Sequence, residues 1–260
     1  MLERFLRIIA TGFCFAIFGL GGLVILCVVF PLLRLFYPDS RESRDRARAI
    51  IHHSFRCFVR LMVVCGTISY EVQNMERLDR RGLLIVANHP SLIDVVLLIS
   101  LVRHSNCVVK ASLRDDVFTR GPVQSAGFIV NTDGPQLIED CIASVRSGDN
   151  LIIFPEGTRS LEYNGAPNPL KRGAVTVALR GNLALTPVVI TVSEPMLSKK
   201  QRWYHAPRRR PHFVLKVEDD IPMTRYRVHE TAAAPSRMTR VLSGDLQAFF
   251  TRKIKRQCAN

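Results

Sequence analysis

The sequence lacks the motifs that most readily identify a covalent or metal-dependent enzyme. It contains no Gly-x-Ser-x-Gly nucleophile elbow, no His-Glu-x-x-His zinc motif and no Cys-x-x-Cys pair. The first absence argues against a serine nucleophile, and the other two argue against the most recognisable zinc and redox sites. We therefore predict that the protein holds no metal and no bound cofactor.

The sequence has no Asn-x-Ser/Thr glycosylation site. The 7 cysteines are odd in number and irregularly spaced, and several lie in apolar runs. This distribution is typical of reduced thiols in the cytosol and not of a disulfide framework. No internal repeat or low-complexity segment is visible either.

Acidic residues are outnumbered, with 22 Asp and Glu against 36 Lys and Arg, which gives a net charge of +14. Such an excess suits an anionic partner, either nucleic acid or a phospholipid surface. A hydrophobic content of 47% excludes a disordered chain, and the mean hydropathy of +0.12 is high for a soluble protein. The composition therefore favours contact with lipid.

A run of 26 residues without a formal charge, residues 8–33, lies between Arg7 and Arg34. As a helix it would measure about 39 Å, enough to cross a bilayer. It is too long for the apolar core of a signal peptide, so we predict a retained membrane anchor over residues 1–37. Because glycines at 19, 21 and 22 could break the segment into a re-entrant pair, a spanning and a half-embedded anchor are both open.

Residues 38–66 are predicted to form an amphipathic interfacial helix. The stretch Pro38-Asp-Ser-Arg-Glu-Ser43 is typical of a helix start, and a basic turn and an apolar face follow it. Basic residues beside an apolar face suit the headgroup region of an anionic leaflet, where each contributes about 1 kcal/mol. One more core helix is the alternative interpretation.

Residues 67–260 are predicted to form the catalytic domain, because short apolar runs there alternate with polar helical stretches. The apolar runs have no obvious solvent-facing side, which indicates an α/β fold with a sheet flanked by helices. The predicted strands are 68–72, 83–87, 107–110, 128–130, 151–154, 185–192 and 213–217. The predicted helices are 91–104, 137–146, 172–180 and 236–255. A basic loop, 199–210, contains Trp203 and Tyr204.

The segment Asn88-His-Pro-Ser-Leu-Ile-Asp94 follows the second predicted strand. Pro90 is predicted to begin a helix, which would place Asp94 one turn in, where its carboxylate can orient the imidazole of His89. A carboxylate and imidazole so arranged form a general base. With no protein nucleophile, we expect His89 to deprotonate a substrate hydroxyl that attacks an activated acyl group such as a thioester. A helix-capping role for Asp94 is the structural alternative.

A second segment, Phe154-Pro-Glu-Gly-Thr-Arg-Ser160, follows another predicted strand. Pro155 and Gly157 favour a turn with outward-pointing amides, and we expect the side chains of Glu156, Thr158 and Arg159 to be exposed around it. Such a turn can bind an oxyanion or a phosphate, the latter through the planar guanidinium. A tight turn with a solvated salt bridge is the alternative.

Together with Lys171-Arg-Gly173 and Leu185-Thr-Pro-Val-Val-Ile190, these segments resemble the four blocks of the glycerolipid acyltransferase family, over roughly residues 65–220. The resemblance implies a mixed αβ domain on a membrane-embedded N-terminal helical segment. It implies His89 as general base with Asp94 as its partner, and Gly157 near the oxyanion. Glu156 and Arg159 would lie near the acceptor, Asn88, Lys110 and Thr158 complete the predicted substrate-binding set, and acyl-CoA or acyl carrier protein would be the donor.

One block departs from the family pattern. Members that use lysophosphatidic acid usually carry an arginine in the second block, whereas Gly127-Phe-Ile-Val-Asn131-Thr-Asp133 has none. Lysophosphatidic acid remains the first expected acceptor, with Lys110 and Arg159 available to meet its phosphate. A lyso-ornithine lipid, a glycolipid or another hydroxylated lipid is the alternative acceptor, because loss of a basic group weakens an anion site.

Three hypotheses follow from these patterns. The first is O-acyl transfer to a lysophospholipid at the cytosolic face of a membrane, the inner membrane if the protein is bacterial, with no nucleic acid as partner. The second is a membrane-tethered protein that uses its basic surface to bind nucleic acid or another acidic partner. The third is a hydrolase in which water replaces the acceptor, which would release thiol without any added lipid.

Overall fold

The computed structural model describes residues 2–38, 40–116, 119–132, 134–161, 166–199, 201, 204–205, 207–227 and 235–259. Two residues singled out in the sequence, Asp133 and Trp203, lie outside the described residues.

A seven-stranded mixed sheet forms the centre of the fold, in the order β1-β7-β6-β2-β5-β3-β4. β6, β2, β5, β3 and β4 run parallel, while β7 pairs antiparallel with β6 and parallel with β1. All seven predicted strands are confirmed, with bounds shifted by two residues or fewer. They are β1 Ser69–Gln73, β2 Leu84–Ala87, β3 Ser105–Lys110, β4 Ile129–Asn131, β5 Asn150–Ile153, β6 Leu185–Val192 and β7 His212–Val217.

Helices cover both faces of this sheet, as predicted. They are α1 Leu2–Val24, α2 Phe30–Phe36, α3 Arg41–Val64, α4 Ile93–Leu101, α5 Ala111–Asp115, α6 Arg120–Ala126, α7 Pro135–Arg146, α8 Gly173–Gly181, α9 Thr224–Arg227 and α10 Pro235–Ala259. Alternate residues of β2 point to opposite sides. Ile85 joins a core with α3 and α4, and Val86 joins a second core with α7, α8 and α10.

The central strands are buried on both faces, but the prediction that no strand has a solvent-facing side is wrong for the edge of the sheet. β1 pairs only with β7, and its Tyr70 and Glu71 are exposed. β7 alternates buried and half-buried residues. An edge strand has a neighbour on one side only and is covered less completely, so it tolerates polar side chains.

The predicted anchor is one continuous helical segment, Glu3–Phe36, of 34 residues. The glycine cluster does not break it, and a re-entrant pair is therefore the wrong interpretation. The irregularity lies further on, where the residues Ile25–Val29 form a π-helical turn ahead of Pro31. Proline lacks the N–H that the α-helical ladder requires, and a π turn is a common accommodation.

α3 lies between the anchor and the sheet. The hydroxyl of Ser40 caps its N-terminus by accepting from the N–H of Ser43 at 3.0 Å, as the predicted helix start requires. On one side, Phe55 and Phe58 contact Phe18 of α1, with ring centroids 5.7 and 4.2 Å apart. On the other side, the helix packs against α4 and α6. The helix is therefore both amphipathic and part of the core.

Candidate active site

The turn after β2 brings His89 and Asp94 together. The predicted helix start at Pro90 is wrong, because α4 begins at Ile93 and residues 90–92 form a bend and turn. The Asp94 carboxylate folds back over this turn, and its Oδ2 accepts the N–H of Ser91 at 2.6 Å. The carboxylate of Asp94 therefore makes two contacts. It holds the turn before α4, as the helix-capping alternative supposed in part, and it also contacts His89.

The imidazole of His89 is held on two sides. Its Nδ1 lies 3.2 Å from Oδ2 of Asp94, and its ring centroid lies 4.5 Å from that of Phe154 at the end of β5. The His89 side chain is 12% exposed and that of Asp94 is 0% exposed. Asp94 thus contacts the ring from inside the protein, while part of the ring faces the solvent.

Burial raises the pKa of the Asp94 carboxyl, and the hydrogen bonds from His89 and from the N–H of Ser91 oppose that shift. Both opposing bonds favour the carboxylate, the form that can orient a neutral imidazole and steady the imidazolium. Ser91 itself is buried, and its hydroxyl donates to the carbonyl of Met196 at 2.7 Å. This serine is therefore a structural residue and not a nucleophile.

The side chain of Asn88 lies inside the protein, whereas the sequence predicted it beside the substrate. Its side chain is buried, its Nδ2 donates to the carbonyl of Ile190 at 2.7 Å, and its Oδ1 accepts the N–H of Ile190 at 2.8 Å. This pair of bonds ties the end of β2 to β6. The amide of Asn88 is thus committed to the backbone of a neighbouring strand, and a contact with substrate stays a prediction.

Glu156 is buried, which corrects the prediction that its carboxylate is exposed around the turn. Its Oε1 accepts the backbone N–H of His89 at 2.9 Å and the hydroxyl of Ser160 at 2.8 Å, and its Oε2 accepts the N–H of Asn168 at 2.8 Å. The N–H of Ser160 in turn donates to the carbonyl of His89 at 2.7 Å. Glu156 thus joins the two motif segments and holds the backbone of His89.

Gly157 adopts a left-handed conformation, with φ of +65°. Its N–H donates to the carbonyl of Phe154 at 3.0 Å, so this amide closes the turn and does not point outward as predicted. Within the described residues, the N–H of Thr158 has no such partner. The position of Gly157 near an oxyanion stays a prediction, and the N–H of Thr158 is the amide of this turn that could serve as a donor.

Arg159 is half-buried, and one arm of its guanidinium is occupied. Nη1 donates to the carbonyls of Leu197 at 2.7 Å and Ser198 at 3.1 Å. Leu197 has a φ of +52°, a strained conformation for leucine, and its carbonyl also accepts the N–H of Leu92 at 3.3 Å. The expectation of a guanidinium fork directed wholly at phosphate is therefore corrected, because this side chain also holds the turn after β6.

Lys110 and Asn131 end neighbouring strands on the same edge of the sheet as His89 and Glu156. The two residues are register partners at the ends of β3 and β4, and both are exposed. Since β2, β5, β3 and β4 are parallel neighbours, their carboxyl ends share one edge. The structure therefore places Lys110 and Asn131 on the edge of the sheet that carries His89, and the substrate-binding role of Lys110 stays a prediction.

Sequence reasoning assigned no role to three features of this site. The first is Lys171, whose Cε would lie 2.8 Å from a Cβ placed on Gly157, so the flexible side chain lies directly over the turn. The second is Asn168, which could have been noticed because prolines flank it on both sides. The third is the 196–198 turn, for which the sequence offers no signal.

The chain is similar in sequence to known acyltransferases. The model of the acyltransferase family matches residues 69–191. A 1-acyl-sn-glycerol-3-phosphate acyltransferase of Saccharomyces cerevisiae is 27% identical over 153 residues, covering 56% of this chain and 50% of the relative. A probable 1-acyl-sn-glycerol-3-phosphate acyltransferase of Mycoplasma pneumoniae is 25% identical over 222 residues, covering 78% and 79%.

The fold is also that of a solved structure. The 1-acyl-sn-glycerophosphate acyltransferase of Thermotoga maritima superposes with a TM-score of 0.70 at 20% identity, covering 100% of this chain and 98% of the other. At 20% identity, this likeness shows a shared fold and nothing further. This chain spans about half the length of the first curated relatives that it matches, 50% and 52%.

Proposed function

We propose that this chain is an acyltransferase of the family whose model matches residues 69–191, and that it transfers a fatty acyl group from a thioester to the hydroxyl of lysophosphatidic acid. The product would be phosphatidic acid. The observation that carries the proposal is the partly open imidazole of His89, oriented by the buried carboxylate of Asp94 beside the turn 155–160.

The reaction follows from this geometry. Nε2 of His89 takes the proton of the acceptor hydroxyl while that oxygen forms a bond to the thioester carbonyl carbon. The carbonyl electron pair moves onto its oxygen, which the N–H of Thr158 can stabilise. The intermediate collapses, the C–S bond breaks, and the departing thiolate takes the proton from the imidazolium. The donor is acyl-CoA or an acyl carrier protein, and no covalent enzyme intermediate is needed.

Cations at the carboxyl edge support a phosphate on the acceptor. Lys110 and Lys171 are exposed there, and the remaining nitrogens of Arg159 have no hydrogen-bond partner in the described part of the chain. A charged hydrogen bond contributes about 1.5–3 kcal/mol, so two of them can favour a phosphorylated acceptor strongly. The alternative acceptor is supported by Asn131, which offers an amide where the resemblance leads one to expect an arginine.

Comparison of acceptors tests this assignment. With each lipid in the same vesicles, we expect kcat/KM for lysophosphatidic acid to exceed that for the matching monoacylglycerol by about tenfold or more, since only the former carries a phosphate. The product would be identified by mass spectrometry. A preference for lyso-ornithine lipid or a lysoglycolipid would instead establish the alternative acceptor.

We also propose that the protein works on a membrane with its anchor lying along the surface. α1 buries a narrow stripe against α3 and exposes large apolar side chains on its other sides. α3 exposes Arg56 and Arg60 one turn apart, next to the residues that contact Phe18 of α1. If α1 stood across the bilayer, these arginines would lie in hydrocarbon at a cost of about 3 kcal/mol each. A surface orientation leaves them among the headgroups.

Three exposed leucines give the site itself a lipid-facing rim. Leu92, Leu113 and Leu161 are 47%, 38% and 56% exposed and follow the neighbouring strands β2, β3 and β5. Lone exposed leucines need no explanation, but these three follow neighbouring strands at one edge of the sheet, two in turns and one in α5, and add apolar surface there. With the cations on the same edge, this rim suits an anionic bilayer from which a lysolipid enters.

A further inference from the structure

The short segment 166–171 runs behind the turn 155–161 and contacts it along its length. The N–H of Asn168 donates to Glu156, and its Nδ2 donates to the carbonyl of Arg159 at 3.2 Å. Its Oδ1 accepts the N–H of Leu161 at 3.2 Å. The N–H of Lys171 donates to the carbonyl of Pro155 at 2.7 Å. The segment is therefore a brace for the turn that holds His89.

This brace has no regular secondary structure of its own. Pro167 and Pro169 flank Asn168 and fix the backbone there. Proline has no N–H, so Pro167 and Pro169 remove two backbone donors from the segment. Besides the turn 155–161, one further element holds the segment.

That element is the C-terminal helix α10, through one side chain. Gln247 accepts the N–H of Leu170 on its Oε1 at 3.0 Å and donates from its Nε2 to the carbonyl of Pro167 at 2.9 Å. Both ends of the glutamine amide are thus used, on either side of Asn168. Gln247 lies on the helix that packs against β6 and α8, so it ties the brace to the rigid core.

We infer that Gln247 is a positioning residue for the acyl-transfer reaction, acting through Asn168 and Glu156 on His89. Its amide fixes the 166–171 brace, the brace holds the carboxylate of Glu156, and this carboxylate holds the backbone of His89. The same path sets the position of Lys171 over Gly157. The predicted loss of kcat rests on the proposed function. The predicted change in amide exchange of the turn does not depend on that function.

The test compares Gln247→Ala with Gln257→Ala. Gln257 is the matched control, because it is a half-buried glutamine of the same helix whose Nε2 donates to the carbonyl of Val214 at 3.1 Å, in β7. We expect similar losses of Tm in the two variants. Only Gln247→Ala should lose about tenfold in kcat, equivalent to about 1.4 kcal/mol, with the KM for the acyl donor unchanged within twofold.

Conservative variants and hydrogen exchange complete the test. Gln247→Glu keeps the acceptor for Leu170 but sets a carboxylate oxygen against the carbonyl of Pro167, so its kcat should fall at least as far as that of Gln247→Ala. Asn168→Ala removes the two side-chain bonds that Asn168 makes to the turn, and it should show the same loss of kcat. This variant takes the place of Gln247→Ala in the test if Gln247→Ala folds poorly. Amide exchange in residues 155–161 should accelerate in Gln247→Ala and not in Gln257→Ala.

Equal kcat and equal exchange in the two alanine variants would overturn the positioning role. A parent protein without acyl transfer, in which Gln247→Ala still accelerated exchange of the turn, would overturn the proposed function and leave the brace intact. The two failures are therefore distinguishable.

Discussion

Replacement of His89 by alanine is expected to reduce acyl transfer by about 10³-fold or more. A positioned general base contributes about 10²–10⁴-fold, and here no side-chain nucleophile is proposed that could take over the reaction. The structure leaves part of the imidazole open while Asp94 and Phe154 hold it. The measurement is the initial rate of diacyl product formation with saturating thioester and lysolipid.

His53→Ala provides the matched control. His53 is an exposed histidine of α3, and its ring contacts only the neighbouring His52 among the ring pairs of the described residues. It should retain the parental rate, and both variants should keep the parental Tm within a few degrees. A His89→Ala enzyme working within threefold of the parent would exclude His89 as the base.

Replacing four outward side chains of the anchor by serine is expected to lower vesicle binding by about 10³-fold. The residues Ile9, Phe13, Ile17 and Leu20 are 54%, 52%, 45% and 62% exposed. About half of each side chain is exposed. Inserting that exposed surface into the bilayer should contribute about 1 kcal/mol to membrane binding per residue, and about 4 kcal/mol for the four together. The measurement is the partition coefficient from sedimentation with vesicles that contain anionic phospholipid.

Val241→Ser serves as a control for loss of exposed apolar surface, because Val241 is 44% exposed on α10 and lies outside the anchor. Its partition coefficient should equal that of the parent. The fourfold variant should also keep its sheet, as judged by circular dichroism, because the replaced side chains point away from the protein. Undiminished binding of this variant would contradict a membrane-embedded face on α1.

The strands were predictable because burial dictates composition. β2 is an uninterrupted apolar run, and β5 and β6 are mostly apolar, since helices cover both of their faces. The short helices α5, α6 and α9 were not predicted, because four to seven residues are too few to display a helical period. Their positions follow from neighbouring elements and not from their own sequence.

Within the site, the motifs predicted which segments meet but not which atoms face the substrate. Glu156 was expected at the surface because glutamate usually lies there, yet it is held in the interior by one donor from its own turn and two from other parts of the chain. Arg159 likewise binds two carbonyls of a turn almost forty residues further along the chain. Such contacts depend on tertiary structure, which residue type and spacing do not encode locally.

The reaction class itself is tested most directly by the acceptor dependence of thiol release. Purified protein in vesicles would be given a long-chain acyl thioester with and without lysophosphatidic acid, and free thiol and phosphatidic acid would be measured together. The proposed mechanism predicts thiol release that is negligible without the acceptor and equals phosphatidic acid formation when it is present. Equal release with and without the acceptor would show that water is the acceptor, and would contradict an acyl transferase built on His89 and Asp94.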